Sequence, residues 1–159
     1  MINPTVITSG KTSSGDNSSF YGLNAGVLAA SGSTLNIYGG TVTTSGIGAN
    51  GVFATGSGTV VTLSNVTIVC TGQLGHGVDA TVGGTLYLTD VDIATGPGAN
   101  SAAIATDRGG GTLEVQGSLA STEVSVASGA VLGGTGTLAG NLTVQSGVPS
   151  YSARRGTSR

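Results

Sequence analysis

Few side chains in this sequence could do chemistry, and their spacing argues against most of it. His76 is the only histidine and Cys70 the only cysteine. One histidine alone defines neither a zinc centre nor a nucleophile–base set. One cysteine excludes an intrachain disulfide and a cysteine metal cluster. Cys70 ends an apolar run in phase with Val66 and Ile68, which is the position of an inert buried thiol. The carboxylates worth weighing are Asp79, Asp90, Asp92, Asp107 and Glu114, with Arg108 as their cationic neighbour. Asp90 and Asp92 are close in sequence, but a calcium cage takes 6–8 oxygen ligands. Asp107-Arg108 precedes three glycines and reads as a turn with a local ion pair. Gly10-Lys11-Thr12 resembles the end of a phosphate-binding loop. That motif needs a glycine where Thr5 stands, a strand before it and a helix after it, and the sequence predicts none of these.

The elements that must position these groups are set by composition. The chain has 159 residues, 30 of them glycine, 38% hydrophobic and only 8% charged. That length fits one domain. Glycine at this level without aliphatic residues would mean disorder, but here the aliphatics fall in periodic runs. The net charge is −2, so no electrostatic case exists for nucleic acid or an anionic membrane. Arg154, Arg155 and Arg159 crowd the last six positions, leaving the body more acidic still. No stretch approaches the roughly 20 apolar residues of a membrane-spanning helix. The start, residues 1–15, lacks a basic segment followed by an apolar core, so no secretory signal is read there.

Residues 51–72 define the repeat. Runs at 51–55, 59–63 and 66–70 alternate with the strand period, and Gly56-Ser57-Gly58 and Ser64-Asn65 separate them as turn residues. Gly26, Gly51, Gly77 and Ser101 align, and second and third runs follow each in register. A period in the twenties with three strands per period predicts stacked coils that share one continuous core. The fold expected is all-β, a right-handed parallel β-helix (solenoid) of about four coils of 24–27 residues with tighter coils C-terminal to them. The expected divisions are an N-terminal partial coil or cap over 1–20, repeats over 21–121, a second strand repeat over 122–147 and a disordered tail over 148–159.

Alternation assigns the faces. In the first runs, Val27/Ala29, Val52/Ala54, Val78/Ala80 and Ala103/Ala105 should point inward. Leu28, Phe53/Thr55, Asp79/Thr81 and Ile104/Thr106 should point outward as a ligand-facing ladder, with Asp79 marking the outside because a lone carboxylate does not belong in an apolar core. Leu35/Ile37, Val61/Leu63, Leu86/Leu88 and Leu113/Val115 fill the second-run interior, opposite Asn36, Thr62, Tyr87 and Glu114. Val42, Ile68, Ile93 and Ala120 fill the third. His76 falls at a corner aligned with Asn50 and Asn100, where a hydrogen-bonding turn residue is wanted. Asn65 and Asp90 share another corner.

Residues 19–26, 48–56 and 102–112 resemble right-handed parallel β-helix repeat proteins of microbial surfaces. Residues 130–147, with Gly134-Thr135-Gly136-Thr137-Leu138 and Gly140-Asn141-Leu142-Thr143-Val144, resemble the strand repeat of autotransporter passenger domains. The resemblance implies a non-catalytic, adhesin-like or structural solenoid at the cell surface or outside the cell. It implies no cofactor and no metal. A host-surface, matrix or carbohydrate ligand is the expected partner, and open strand edges allow end-to-end self-association. The family's repeat ordinarily leads to a membrane barrel, which twelve residues after Gly147 cannot form, so a truncated frame is expected there. Two alternatives stand beside this reading. A carbohydrate-active, polysaccharide lyase-like enzyme would use clustered carboxylates and a base. An ice-binding solenoid would use the row Thr55, Thr81 and Thr106.

Overall fold

The computed structural model describes residues 1–10, 14–96, 101–126, 130–135 and 137–144. Short β-branched runs punctuated by left-handed corners give strands β1 (Thr5–Thr8), β2 (Val27–Ala30), β3 (Thr34–Tyr38), β4 (Thr41–Thr44), β5 (Val52–Thr55), β6 (Val60–Ser64) and β7 (Thr67–Cys70). They continue as β8 (Val78–Thr81), β9 (Thr85–Thr95), β10 (Ile104–Asp107), β11 (Thr112–Val126), β12 (Val131–Gly134) and β13 (Thr137–Val144). Every pairing is parallel and joins a strand to its counterpart one coil away, giving a β-solenoid of about 3 turns. The first face stacks β2, β5, β8 and β10. The second stacks β3, β6 and the first halves of β9 and β11, followed by β12. The third stacks β1, β4, β7 and the second half of β9.

The interior is one column of aliphatic side chains. Ile37, Leu63, Leu88 and Val115 line the second face, and Val42, Ile68 and Ile93 the third, all buried. Each such side chain contributes about 1.5–3 kcal/mol by leaving water. The coils then shorten. Val78 pairs with Ile104, 26 residues on, but Ile104 pairs with Val124, only 20 on, and Thr112 with Val131, 19 on. Asn65 and Asp90 hold left-handed corners at φ 56 and 51, stacked as expected because Ser64 pairs with Thr89.

Two expectations are corrected. In the fourth repeat the register lies one residue away from the expected alternation. Ile104 and Thr106 pair with Val78 and Ala80, and Ala105 and Asp107 with Asp79 and Thr81. Ile104 and Thr106 therefore face inward and Ala105 outward, while Ala103, at the corner before the strand, stays in the core. A one-residue slip exchanges the two faces of a strand. The observed choice buries an isoleucine rather than an alanine and keeps the Asp107 carboxylate out of the apolar column. The second correction is a helix, α1 (Gly15–Tyr21), largely within the segment expected to be an N-terminal partial coil or cap. The partial coil itself is β1, with a bridge from Ile2 to Tyr38. The helix follows residue 10 closely, where no helix was expected. Its signals are local: the Ser14 side chain accepts a hydrogen bond from the Asn17 amide at the N-cap, Asp16 lies in the first turn, and Gly22 closes the C-terminus at φ 62, the usual chemistry of both ends. Lys11, Thr12, Asn100, the side chain of Ala120 and the tail over 148–159 lie outside the described residues.

Candidate functional site

The outward ladder of the first face does not face solvent. Alternation places Phe53, Thr55, Asp79 and Thr81 on the outer side of β5 and β8, yet Phe53, Asp79 and Thr81 are 0% exposed and only Leu28, on the end strand β2, is open at 51%. The cover is the strap made by α1 and the turn after it. A side chain added at Gly22 would strike the Phe53 ring at 2.6 Å, so backbone lies directly on that ring. Gly15 packs against Ile47 and Leu74, and Gly48 meets the backbone of Gly15 and Ser19. At the far end the Arg108 guanidinium stacks 4.5 Å from the Phe20 ring centre and 5.5 Å from that of Tyr21, a cation–π arrangement. Arg108 is thus turned to the strap, and the local ion pair expected with Asp107 does not form: Asp107 instead faces His76.

The Thr row is also self-contained. Thr81 donates its hydroxyl proton to Thr55 at 2.9 Å, and Thr106 is buried in the interior. An exposed Thr55–Thr81–Thr106 row is therefore absent, and with it the surface that ice binding would need. The expected carboxylate set is scattered likewise. Asp92 lies exposed on the third face, Asp90 at a corner and Glu114 on the second face beside Tyr87.

What the coils do bring together is His76, Asp79 and Asp107. Their ligating atoms all lie within 4.8 Å of one another, and His76 Nε2 stands 3.6 Å from Asp107 Oδ2. Sequence spacing gives no hint of this, since the stacking of β8 on β10 creates the trio and the fourth-repeat register decides whether Asp107 belongs to it.

The hydrogen bonds around His76 define its chemistry. Asn50 donates from Nδ2 to the Ser19 carbonyl at 2.7 Å and accepts the His76 amide at 2.8 Å. His76 repeats the pattern one coil on, its Nδ1 accepting the Ala102 amide at 3.1 Å. The imidazole thus takes the place of an asparagine carbonyl in a corner column, as its alignment with Asn50 implied. With Nδ1 used as an acceptor, the ring proton sits on Nε2. The face turned to the carboxylates is an N–H donor, not a lone pair, and this arrangement is not a His-ligated metal centre.

Asp79 is the unusual member. It is fully buried, and neither carboxylate oxygen makes a hydrogen bond of good geometry, the Asp107 and Ala80 backbone being the polar groups nearest it. Burial pushes its carboxyl well above the usual carboxylate range, the nearby charge of Asp107 adds to the rise, and the backbone of Asp107 and Ala80 opposes it. A carboxylate in such surroundings holds its proton rather than its charge. Cys70 is buried beside the same corner, its thiol donating to the His76 carbonyl at 3.3 Å. Burial pushes the Cys70 thiol up, opposed by the Thr44 side chain and the Gly51 backbone, which makes it a poor nucleophile.

The groups that reach solvent lie on the other two faces. Asn36, Thr62, Tyr87 and Glu114 stack in register along the second, and Thr41, Thr67 and Asp92 along the third. No protein-family model, curated protein or solved structure matches this chain.

Proposed function

We propose that this protein is a non-catalytic surface solenoid, adhesin-like or structural, that presents its second and third faces to a host-surface, matrix or carbohydrate ligand. The observation that carries the reading is the in-register column Asn36–Thr62–Tyr87–Glu114. Stacked strands repeat side chains at about 4.8 Å, a spacing suited to extended, repetitive ligands. The titratable trio lies under a strap, with a hydrogen rather than a lone pair turned toward the carboxylates, and lacks the open groove that polymer cleavage requires. The resemblance of residues 130–147 to passenger-domain repeats supports placement at the cell surface, and the strand edges at each end support end-to-end association there. Binding of the chain to immobilised glycans and matrix proteins, compared with the Tyr87→Ala variant, tests the reading. It expects binding that weakens in the variant without loss of folding. Cleavage of a polysaccharide, abolished by Asp107→Asn, would replace it with an enzymatic one.

A further inference from the structure

The strap over the first face and the trio beneath it form a single construction. The contacts that seat the strap include the hydrogen bond from Asn50 to Ser19, that from Asn24 to the Gly10 carbonyl, the packing of Gly15 on Ile47 and Leu74, the seat of Gly22 on Phe53, and the stacking of Arg108 on Phe20 and Tyr21. Helix α1 has only 7 residues, too few to be stable without its docking surface. Under the strap lies the Asp79 carboxyl group, with no hydrogen bond of good geometry and no exposure. Lifting the strap is the available way to hydrate it, because the opposite side of β8 is the apolar column.

We propose that the strap is a pH-sensitive cover, closed while Asp79 holds its proton and opening as Asp79 ionises. The charged and titratable groups around Asp79 are few among the described residues. His76 stands at the corner before β8, its Nε2 turned toward Asp107 at 3.6 Å. Asp107 lies on β10, the next strand of the same face. The neighbouring strand β5 contributes the Phe53 ring directly opposite Asp79. The cover itself carries Tyr21 and Asp16, the latter exposed in the first turn of α1, and Arg108, next after β10, is engaged by the Phe20 and Tyr21 rings. An ionised Asp79 would therefore meet the Asp107 carboxylate as a like charge in a water-excluded site, with no free cation to offset it.

The direction follows from proton linkage. In the open state Asp79 is hydrated and titrates in the ordinary carboxylate range. In the closed state it keeps its proton to higher pH. Between those two titrations the closed state binds one more proton, so the opening constant rises by up to tenfold per pH unit. Below that window Asp79 is protonated in both states and contributes no pH dependence to opening. Above it, opening levels off. The open form uncovers Phe53, Asp79, Thr81 and Ala105, an apolar and acidic strip otherwise withheld from any ligand.

Hydrogen exchange of the intact chain across a pH series, corrected for the intrinsic chemical rate, tests this. Protection over residues 14–25 should fall by up to tenfold per pH unit within the window, while residues 61–70 in the core keep theirs. Asp79→Asn should abolish the pH dependence and leave the strap protected throughout. Asp107→Asn removes the like charge and should move the window to lower pH, a shift that a purely structural role for Asp107 does not produce. If Asp79→Asn does not fold, Asp79→Leu serves in its place. Protection over 14–25 that ignores pH, or that falls together with the core, overturns the proposal, as does a pH dependence that survives both Asp79 substitutions.

Discussion

Replacing Asn50 by alanine should damage this protein more than its size suggests. Asn50 is 0% exposed and is used at both ends of its amide: Nδ2 donates to the Ser19 carbonyl in the strap, and Oδ1 accepts the amide of His76 in the next coil. Alanine removes both partners and leaves a carbonyl and an N–H buried without satisfaction. Each such group costs about 1–3 kcal/mol, so the pair costs about 2–6 kcal/mol, a large part of a typical domain stability of about 5–15 kcal/mol. Urea unfolding followed by far-ultraviolet circular dichroism measures the loss. Asn50→Asp separates the two bonds. It keeps the acceptor for His76 but turns a second acceptor toward the Ser19 carbonyl, so it should be destabilised at neutral pH and recover when acid protonates the carboxyl and restores a donor. A cost below about 1 kcal/mol for alanine, a figure typical of exposed positions, would refute the corner column. So would an aspartate variant indifferent to pH.

Three further outcomes follow from the same geometry. Val82 is β-branched, 56% exposed and held at φ 51, where a left-handed backbone costs about 1–2 kcal/mol. Val82→Asn should raise the unfolding free energy by about 1 kcal/mol in the same urea assay. Gly77 sits where an added Cβ would run into the Ile93 side chain and the Ala103 carbonyl. Gly77→Ala should therefore cost about 1–3 kcal/mol through overpacking, read as a lower thermal midpoint. Cys70 should resist a thiol reagent in the folded chain at pH 8 and react in urea; rapid labelling of the native protein would show that the corner is not closed.

Much of the architecture is legible in the residues themselves. Val, Ile and Leu at alternate positions between Gly, Ser and Asn turns define the strands, and the recurrence of Leu35/Ile37, Val61/Leu63 and Leu86/Leu88 defines the stacking. Alternation fails at the fourth repeat because Ala102-Ala103-Ile104-Ala105 is apolar on both parities. Only the competition between burying Ile104 and burying Asp107, decided by contact with β8, fixes the register. The strap escapes a reading tuned to strands because its helix is short and polar, and its stability comes from docking on Phe53 and Arg108. Asp79 is read correctly as outward-facing by alternation, but pointing outward from a sheet is not the same as reaching water. His76, Asp79 and Asp107 come together only through coil stacking, which no local spacing encodes.

The most direct test is native-state labelling of two single cysteines placed on the outer sides of different faces, in a background where Cys70 is buried. Thr81→Cys lies beneath the cover of the first face, at a position 0% exposed, and Tyr87→Cys lies on the open second face at 38%. At acidic to neutral pH, a thiol reagent active in that range should label position 87 at the rate of an exposed thiol and position 81 only on opening. Equal, fast labelling at both positions would contradict the covered first face and return Phe53, Asp79 and Thr81 to the solvent.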